Sequence, residues 1–74
     1  MKYLNFSVVI EEDKNGFFAF CPELQGCYTQ GETYEEVISN IKDAIKLHVQ
    51  DIEADNEILE RPKSISLSTV EVAV

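Results

Sequence analysis

The spacing of the apolar residues changes at Gly31, and this change constrains the fold more than any other feature of the sequence. Before it, apolar residues occupy alternate positions from Leu4 to Ile10, which is the period of a β-strand with one buried face. After it, apolar residues recur at the spacing of an α-helix and form one stripe. The members of this stripe are Tyr34, Val37, Ile38, Ile41, Ala44, Ile45, His48, Val49 and Ile52. The sequence therefore predicts strands first and then one amphipathic helix.

Two breaks divide the first part of the chain into three predicted strands. Asp13 and Asn15 favour a turn, and Gly16 can take the positive φ that closes a hairpin after the first strand. A short strand rich in aromatic residues follows at 17–21 and is broken by the sequence PELQG. A third strand is predicted at 27–30. Because the connections are short, the three strands are expected to form an antiparallel meander.

The helix has a recognisable start and a less sharply defined end. Thr33 and Glu36 have the spacing of a capping box, in which the threonine hydroxyl accepts the Glu36 N–H and the glutamate reaches back. The helix is predicted to end around 54–56. A polar connection containing Pro62 follows, and the alternating sequence SISLSTVEVAV then predicts a last strand.

A helix placed before the last strand is expected to cross one face of the sheet. The last strand would then lie beside the first strand and parallel to it. The predicted fold class is α+β, with the order β-β-β-α-β, a mixed four-stranded sheet of strand order 3-2-1-4 and one helix packed on a face. At 74 residues, positions 1–74 are expected to form a single domain. A thin core and an open sheet face favour a homo-oligomer.

The chain is strongly acidic, with 14 Asp and Glu against six Lys and Arg and a formal net charge of -8. Its basic residues are scattered, whereas nucleic-acid binding needs them clustered, so direct nucleic-acid binding is not expected. A basic protein partner is expected instead. No stretch reaches the ~20 apolar residues of a membrane span, and the N-terminus alternates like a strand rather than a signal peptide. We therefore expect a cytoplasmic protein without membrane association.

The two cysteines, Cys21 and Cys27, are interpreted as small hydrophobic residues that pack in the core. A redox-dependent disulfide, a catalytic thiol and a metal site are the alternatives. Structural zinc takes four Cys or His ligands, and the chain has His48 as its single histidine. Because His48 belongs to the helical stripe, packing explains it. No metal, no cofactor and no catalytic residue is predicted.

Acidic residues occur at the end of the first predicted strand, at the start of the helix and at Glu71. Carboxylates in such positions could hold the paired Mg²⁺ ions of a nuclease. However, Glu11, Glu12 and Asp13 run into a turn, and helix capping accounts for the acidic residues at the helix start. A solvated acidic rim is the preferred interpretation, and a residual metal-dependent nuclease is the alternative.

The segment from Phe6 to Gln50 combines a strand that ends in acidic residues, a turn glycine before aromatic residues and the motif P-E-L-x-G-C-x-T-x-G-E-T-x-x-E, which runs from Pro22 to Glu36. With these features the segment resembles the HicB antitoxin family. Helical positions from Asn40 onward continue the resemblance. One departure is Val37, where the family often has alanine.

This resemblance implies a partial ribonuclease-H-like fold without nuclease activity. It also implies a partner, a small basic HicA-type toxin that cleaves mRNA, within a type II toxin–antitoxin system. Many family members carry a C-terminal DNA-binding domain, and this chain is expected to lack one. The acidic rim is predicted to contact the toxin through Glu11, Glu12, Asp13, Glu23 and Glu32. The alternative is a stand-alone oligomeric protein without a toxin.

Overall fold

A three-stranded antiparallel sheet forms the centre of the computed structural model, which describes residues 3–74. Its strands are β1 (Val9–Asp13), β2 (Gly16–Phe20) and β3 (Tyr28–Gly31). They are ordered β1-β2-β3, so β2 lies in the middle. The predicted antiparallel meander of three strands is confirmed, but the first strand was expected over the alternation from Leu4 to Ile10 and begins only at Val9, so residues 4–8 lie outside the sheet.

A two-residue turn joins β1 to β2, and local chemistry explains it. Asp13 pairs with Gly16 across the turn, and the Asp13 carboxylate accepts the Asn15 N–H at 2.7 Å. Gly16 has a φ of 130°, which is accessible to glycine and strained for residues with a Cβ. The predicted hairpin is therefore confirmed residue by residue.

The single helix of the described residues, α1 (Tyr34–Ala54), begins at the predicted cap. The Thr33 hydroxyl accepts the Glu36 N–H at 3.0 Å. The Glu36 carboxylate reaches back to the Glu32 N–H at 3.3 Å, one residue beyond the partner that a standard capping box would use. The cap thus satisfies two backbone donors at the start of the helix.

The helix ends in a Schellman arrangement at Asn56, which has a φ of 58°. The Asn56 N–H donates to the Glu53 carbonyl at 3.1 Å, and the Glu57 N–H donates to the Ile52 carbonyl at 3.0 Å. Asparagine tolerates the left-handed conformation better than most residues, which explains why the chain turns here.

The core lies where α1 packs against β2 and β3. Its buried members are Ala19, Cys21, Leu24, Cys27, Val37 and Ile41. The helix approaches the end of β3 closely, since a Cβ built on Gly31 would lie 2.7 Å from the backbone nitrogen of Val37. Asn40 adds a hydrogen bond from its side-chain amide to the Gln30 carbonyl at 2.8 Å. Because a Cβ would meet the helix backbone, close packing requires glycine at position 31.

The prediction of a last strand is wrong, because the sheet of the described residues has three strands. The order β-β-β-α-β, the mixed four-stranded sheet of order 3-2-1-4 and the partial ribonuclease-H-like fold that this order was expected to form are therefore wrong as well. Residues 64–74, here called the C-terminal arm, form no strand, and all of them are exposed. Val70 and Val72 are 76% and 70% exposed, and Val74 is fully exposed. Alternation shows that such a segment has an apolar face but does not say which strand covers it. In one copy of the chain, nothing in residues 3–63 pairs with the arm.

A candidate partner-binding surface

Alternation along the strands gives the sheet two different faces. Ile10, Ala19 and Thr29 lie side by side across the sheet, and Ala19 is buried beneath α1. Because successive strand residues point to opposite faces, their neighbours point away from the helix. We call this side the outer face; it consists of Val9, Glu11, Phe18, Phe20, Tyr28 and Gln30.

Exposed aromatic side chains dominate the outer face. Val9, Phe20 and Tyr28 form one cross-strand row. Phe20 is 41% exposed and Tyr28 is 75% exposed. The next row places Phe18 between Glu11 and Gln30. Residues directly opposite each other in a sheet have Cβ atoms about 5 Å apart, so these rings form one patch with a carboxylate at its edge. A rimmed apolar patch of this kind is typical of an interaction site.

Four of the five predicted contact residues lie at one end of the sheet. Glu11, Glu12 and Asp13 end β1, and all three are exposed. Phe17 of β2 pairs with Glu12 on one side and with Gly31 on the other. Because β3 ends at Gly31, Glu32 lies at the same end of the sheet as Glu12. Glu32 is separated from the three acidic residues of β1 by two strand spacings, or about 10 Å. We call Glu11, Glu12, Asp13 and Glu32 the acidic end.

Glu23 lies at the other end of the sheet, beyond Phe20, and its carboxylate is already bonded within the molecule. One carboxylate oxygen accepts the Ser7 N–H at 2.6 Å, and the other accepts Arg61 Nε–H at 2.7 Å. The side chain of Glu23 is 7% exposed. The Ser7 hydrogen bond and the nearby Arg61 guanidinium lower the pKa of Glu23 below its ordinary value, and burial opposes them in part.

Both cysteines pack in the core, as predicted from the sequence. Cys21 and Cys27 are each 2% exposed, and both thiols are free. The Cys21 N–H donates to the Cys27 carbonyl at 2.9 Å, which closes the corner between β2 and β3. Burial raises the pKa of the Cys27 thiol, and the neighbouring Cys21 adds to the effect. A raised pKa disfavours the reactive thiolate.

The residues considered for metal chemistry are scattered. Glu71 lies on the exposed C-terminal arm, and His48 is half-buried on α1. Within residues 3–74, no three Asp, Glu, His or Cys side chains converge in a way that could hold a metal ion. In that same part of the chain, no helix is long and apolar enough to cross a membrane.

The aromatic outer face was missed by the sequence analysis. The sequence GFFAF does contain a signal, because two adjacent aromatic residues in one strand must point to opposite faces. Phe17 packs edge-to-face on Tyr34 of α1, with ring centroids 6.3 Å apart, and this leaves Phe18 on the outer face. The sequence contains no comparable pattern that would predict the ion pair between Arg61 and Glu23.

Fold and surface together define a small acidic α+β domain with an exposed aromatic sheet face. The family described as the HicB-like antitoxin of bacterial toxin–antitoxin systems matches residues 6–72. The chain belongs to this family, as its resemblance had indicated. No solved structure matches the chain significantly.

Relatives of similar length occur in distant organisms. A UPF0150 protein of Helicobacter pylori strain J99 is 46% identical over 67 residues, which cover 90% of this chain and 93% of the relative. A UPF0150 protein of Synechocystis is 43% identical over 54 residues, covering 72% of this chain and 68% of the relative. A UPF0150 protein of Thermoplasma acidophilum is 36% identical over 59 residues, covering 78% and 86%.

Proposed function

We propose that this chain is the antitoxin of a type II toxin–antitoxin system and that it inhibits a small basic HicA-type toxin by binding it. Membership of the HicB-like antitoxin family supports the antitoxin role. The observation that carries the choice of surface is the exposed aromatic patch of the outer face, formed by Phe18, Phe20 and Tyr28 beside Glu11.

The outer face has the composition of a protein interface. Aromatic side chains are enriched among the residues that contribute most to binding, because they bury a large area at a small cost in conformational entropy. Tyr28 is the most exposed of the three rings, at 75%, and Phe20 lies directly beside it on β2. These two rings are the proposed anchors of the complex.

The acidic end supplies the charge that a basic toxin would recognise. A ribonuclease binds phosphates through basic side chains, and the same side chains can be covered by carboxylates. The net charge of -8 would also draw a basic protein toward this chain and speed their association. Glu23, the fifth predicted contact residue, is left out of the proposed surface because its carboxylate is bonded to Ser7 and Arg61.

The first test is co-expression with the small basic protein encoded by the adjacent open reading frame. A stable complex and relief of growth arrest are expected. If the two proteins do not associate and the arrest persists, the proposal is wrong. The stand-alone interpretation would be favoured if the neighbouring gene encodes no small basic protein.

The second test asks whether the outer face is the contact surface. Phe20→Ala and Tyr28→Ala should each weaken binding about 30-fold, the loss that accompanies a central interface residue worth ~2 kcal/mol. Leu47→Ala is the matched control, since Leu47 is 62% exposed on α1 and does not belong to the outer face. Equal binding by all three variants, measured by calorimetry, would exclude this surface.

Charge-reversal variants test whether the acidic end acts on the rate of association or on the stability of the complex. Glu12→Lys and Glu32→Lys should mainly slow association and reduce its dependence on salt, because rim charges act during the encounter. Stopped-flow association at low and high salt would measure this. A change confined to the dissociation rate would contradict the proposed role of the acidic end.

A further inference from the structure

The corner between β2 and β3 places the two thiols of the chain opposite each other. The last pair in the register of these strands is Phe20 with Tyr28. One step further along both strands, the same register brings Cys21 opposite Cys27. The Cys21 N–H donates to the Cys27 carbonyl at 2.9 Å, which shows that the ladder reaches this pair. Residues that face each other across a ladder carry their side chains on the same face of the sheet.

Both thiols lie on the side of the sheet that α1 covers. Cys21 is two positions from Ala19, which is buried beneath the helix, and successive strand residues alternate between faces. Cys21 and Cys27 are each 2% exposed and share one core with Val37 and Ile41. The charge of Cys21 also contributes to the raised pKa of Cys27, as expected for two sulfurs that lie close together. The two thiols are therefore buried, free and adjacent.

The spacing of such a pair suits a disulfide. Hydrogen-bonded residues opposite each other in an antiparallel ladder have Cα atoms about 5.5 Å apart, and disulfides join Cα atoms about 4.4–6.8 Å apart. Their Cβ atoms lie about 5 Å apart, whereas a disulfide needs about 4 Å. A shift of about 1 Å at the end of the ladder would bring the two sulfurs within bonding distance.

The corner is free to make this shift. Of the two hydrogen bonds that a ladder pair can exchange, Cys21 and Cys27 form one, because the Cys27 N–H donates to the Leu24 carbonyl at 3.3 Å. The Cys21 carbonyl accepts the Leu24 N–H at 3.1 Å. Gly26 has a φ of 76°, and a Cβ built on it would have no described atom within 4 Å apart from its chain neighbours. The loop 22–26 is thus a separate turn with open space beside it.

The same corner carries the proposed anchors of the complex. Phe20 precedes Cys21 and Tyr28 follows Cys27 in the sequence. Because strand residues alternate, the two rings point to the outer face while the two thiols point to the core. A covalent bond between the thiols would fix the separation of the two strands directly beside the rings.

We propose that Cys21 and Cys27 are oxidised to a disulfide by low-molecular-weight disulfides such as oxidised glutathione, and that this bond strengthens binding at the outer face by holding Phe20 and Tyr28 side by side. The regulatory half of this inference rests on the proposed function, whereas the formation of the bond does not.

The oxidation consists of two thiol–disulfide exchanges. In the first, the thiolate of one cysteine attacks a sulfur of oxidised glutathione and expels one glutathione thiolate. In the second, the thiolate of the other cysteine attacks the protein-bound sulfur of the mixed disulfide and expels the second glutathione thiolate. The two cysteine protons pass to the two released thiolates, so two protein thiols are oxidised and one glutathione disulfide is reduced. The first attack requires the corner to open, since each thiol is 2% exposed.

The first test is a titration of the purified chain in glutathione redox buffers, read by mass spectrometry after acid quenching. The expected product has lost two hydrogen atoms and carries no glutathione. The folded chain should be half oxidised at a ratio of [GSH]² to [GSSG] about 50-fold higher than the chain in urea, because by linkage this factor equals the factor by which so short a cross-linked loop favours folding.

The matched control is Cys27→Ala, whose remaining thiol has no partner and should stay free or carry glutathione. Three results for the wild type would overturn the proposed bond. One is a stable glutathione adduct, another is a disulfide between two chains, and the third is the same half-oxidation ratio for the folded and the unfolded chain. These results come from the wild type and therefore decide the matter even if Cys27→Ala does not fold.

The second test compares the oxidised and reduced chains in binding the small basic protein encoded by the adjacent open reading frame. The oxidised chain should dissociate about threefold more slowly, since less ordering of Phe20 and Tyr28 remains to be done on binding. Dithiothreitol should restore the faster rate. Equal rates, or faster dissociation of the oxidised chain, would overturn the regulatory half. Absence of binding by both forms would refute the proposed function together with the regulatory half, whereas the redox titration uses no partner and decides separately whether the disulfide forms.

Discussion

Arg61 lies against Glu23, and these two residues are 38 positions apart in the chain. Arg61 Nε–H donates to the Glu23 carboxylate at 2.7 Å, and a terminal guanidinium N–H donates to the Asn5 carbonyl. The guanidinium carbon also lies 4.3 Å from the centre of the Phe6 ring. Because Glu23 accepts the Ser7 N–H as well, one ion pair joins three parts of the chain: the segment before β1, the corner between β2 and β3, and the connection after α1.

Arg61→Ala should lower the free energy of unfolding by about 1 kcal/mol, the net worth of hydrogen bonds to a charged group after allowance for solvent screening. The loss arises because Glu23, 7% exposed, would keep its carboxylate with fewer partners. Urea denaturation would measure the change. Lys14→Ala removes the same charge from the β1–β2 turn and should leave the midpoint unchanged, so equal midpoints for both variants would contradict the role assigned to Arg61.

The lowered pKa of Glu23 predicts a specific loss of stability in acid. A group whose pKa is lower in the folded chain stabilises it above the unfolded value, here 4.5, and this contribution is lost as the pH falls through the folded value. Glu23→Gln cannot titrate at this position. Urea unfolding between neutral pH and about pH 3 should therefore show the wild type more stable than Glu23→Gln at neutral pH, with the difference shrinking below 4.5. A difference independent of pH would show that the Ser7 hydrogen bond and the Arg61 ion pair do not lower the pKa of Glu23.

The buried face of α1 predicts unequal costs for two similar truncations. Ile41 is 2% exposed, so Ile41→Ala should destabilise the domain by roughly 2–5 kcal/mol. Leu47 is 62% exposed, so Leu47→Ala should change stability by less than about 0.5 kcal/mol. If Ile41→Ala does not fold, Ile41→Val should still cost about 1 kcal/mol in chemical denaturation. Equal midpoints for the two positions would mean that the core face is misplaced.

Features that depend on neighbouring residues could be predicted from the sequence. The turn at Asp13–Gly16 and the cap at Thr33 are each specified within four positions, by side chains that bond to nearby backbone groups. The apolar stripe of α1 could be predicted for the same reason, because it depends only on residues that lie three or four positions apart in the sequence. The burial of both cysteines followed from the ordinary packing behaviour of a small apolar side chain.

Features that depend on distant residues could not be predicted in the same way. The C-terminal arm alternates like a strand, but its pattern does not identify the surface that covers it, and the four-stranded sheet was wrong for that reason. The position of Glu23 beside Arg61 was unpredictable because no local pattern joins residues so far apart. Phe17 and Phe18 are chemically identical, and only the register with Gly31 and Gln30 decides which ring meets α1.

The thiols of Cys21 and Cys27 provide a sensitive measure of whether the core opens. Each is 2% exposed, and burial raises the pKa of Cys27, so the folded chain presents few thiolates to an alkylating reagent. Iodoacetamide at mildly alkaline pH should therefore react with the folded chain at least about 100-fold more slowly than with the chain unfolded in urea, provided that opening costs ~3 kcal/mol or more. The reaction can be followed by mass spectrometry, which counts the thiols modified in each molecule.

Since both thiols share one core with Val37 and Ile41, the two should become reactive together, and both should react faster in Ile41→Val than in the wild type. Modification of one thiol long before the other, or a folded chain that reacts within about tenfold of the unfolded one, would mean that the corner between β2 and β3 opens independently of the helix.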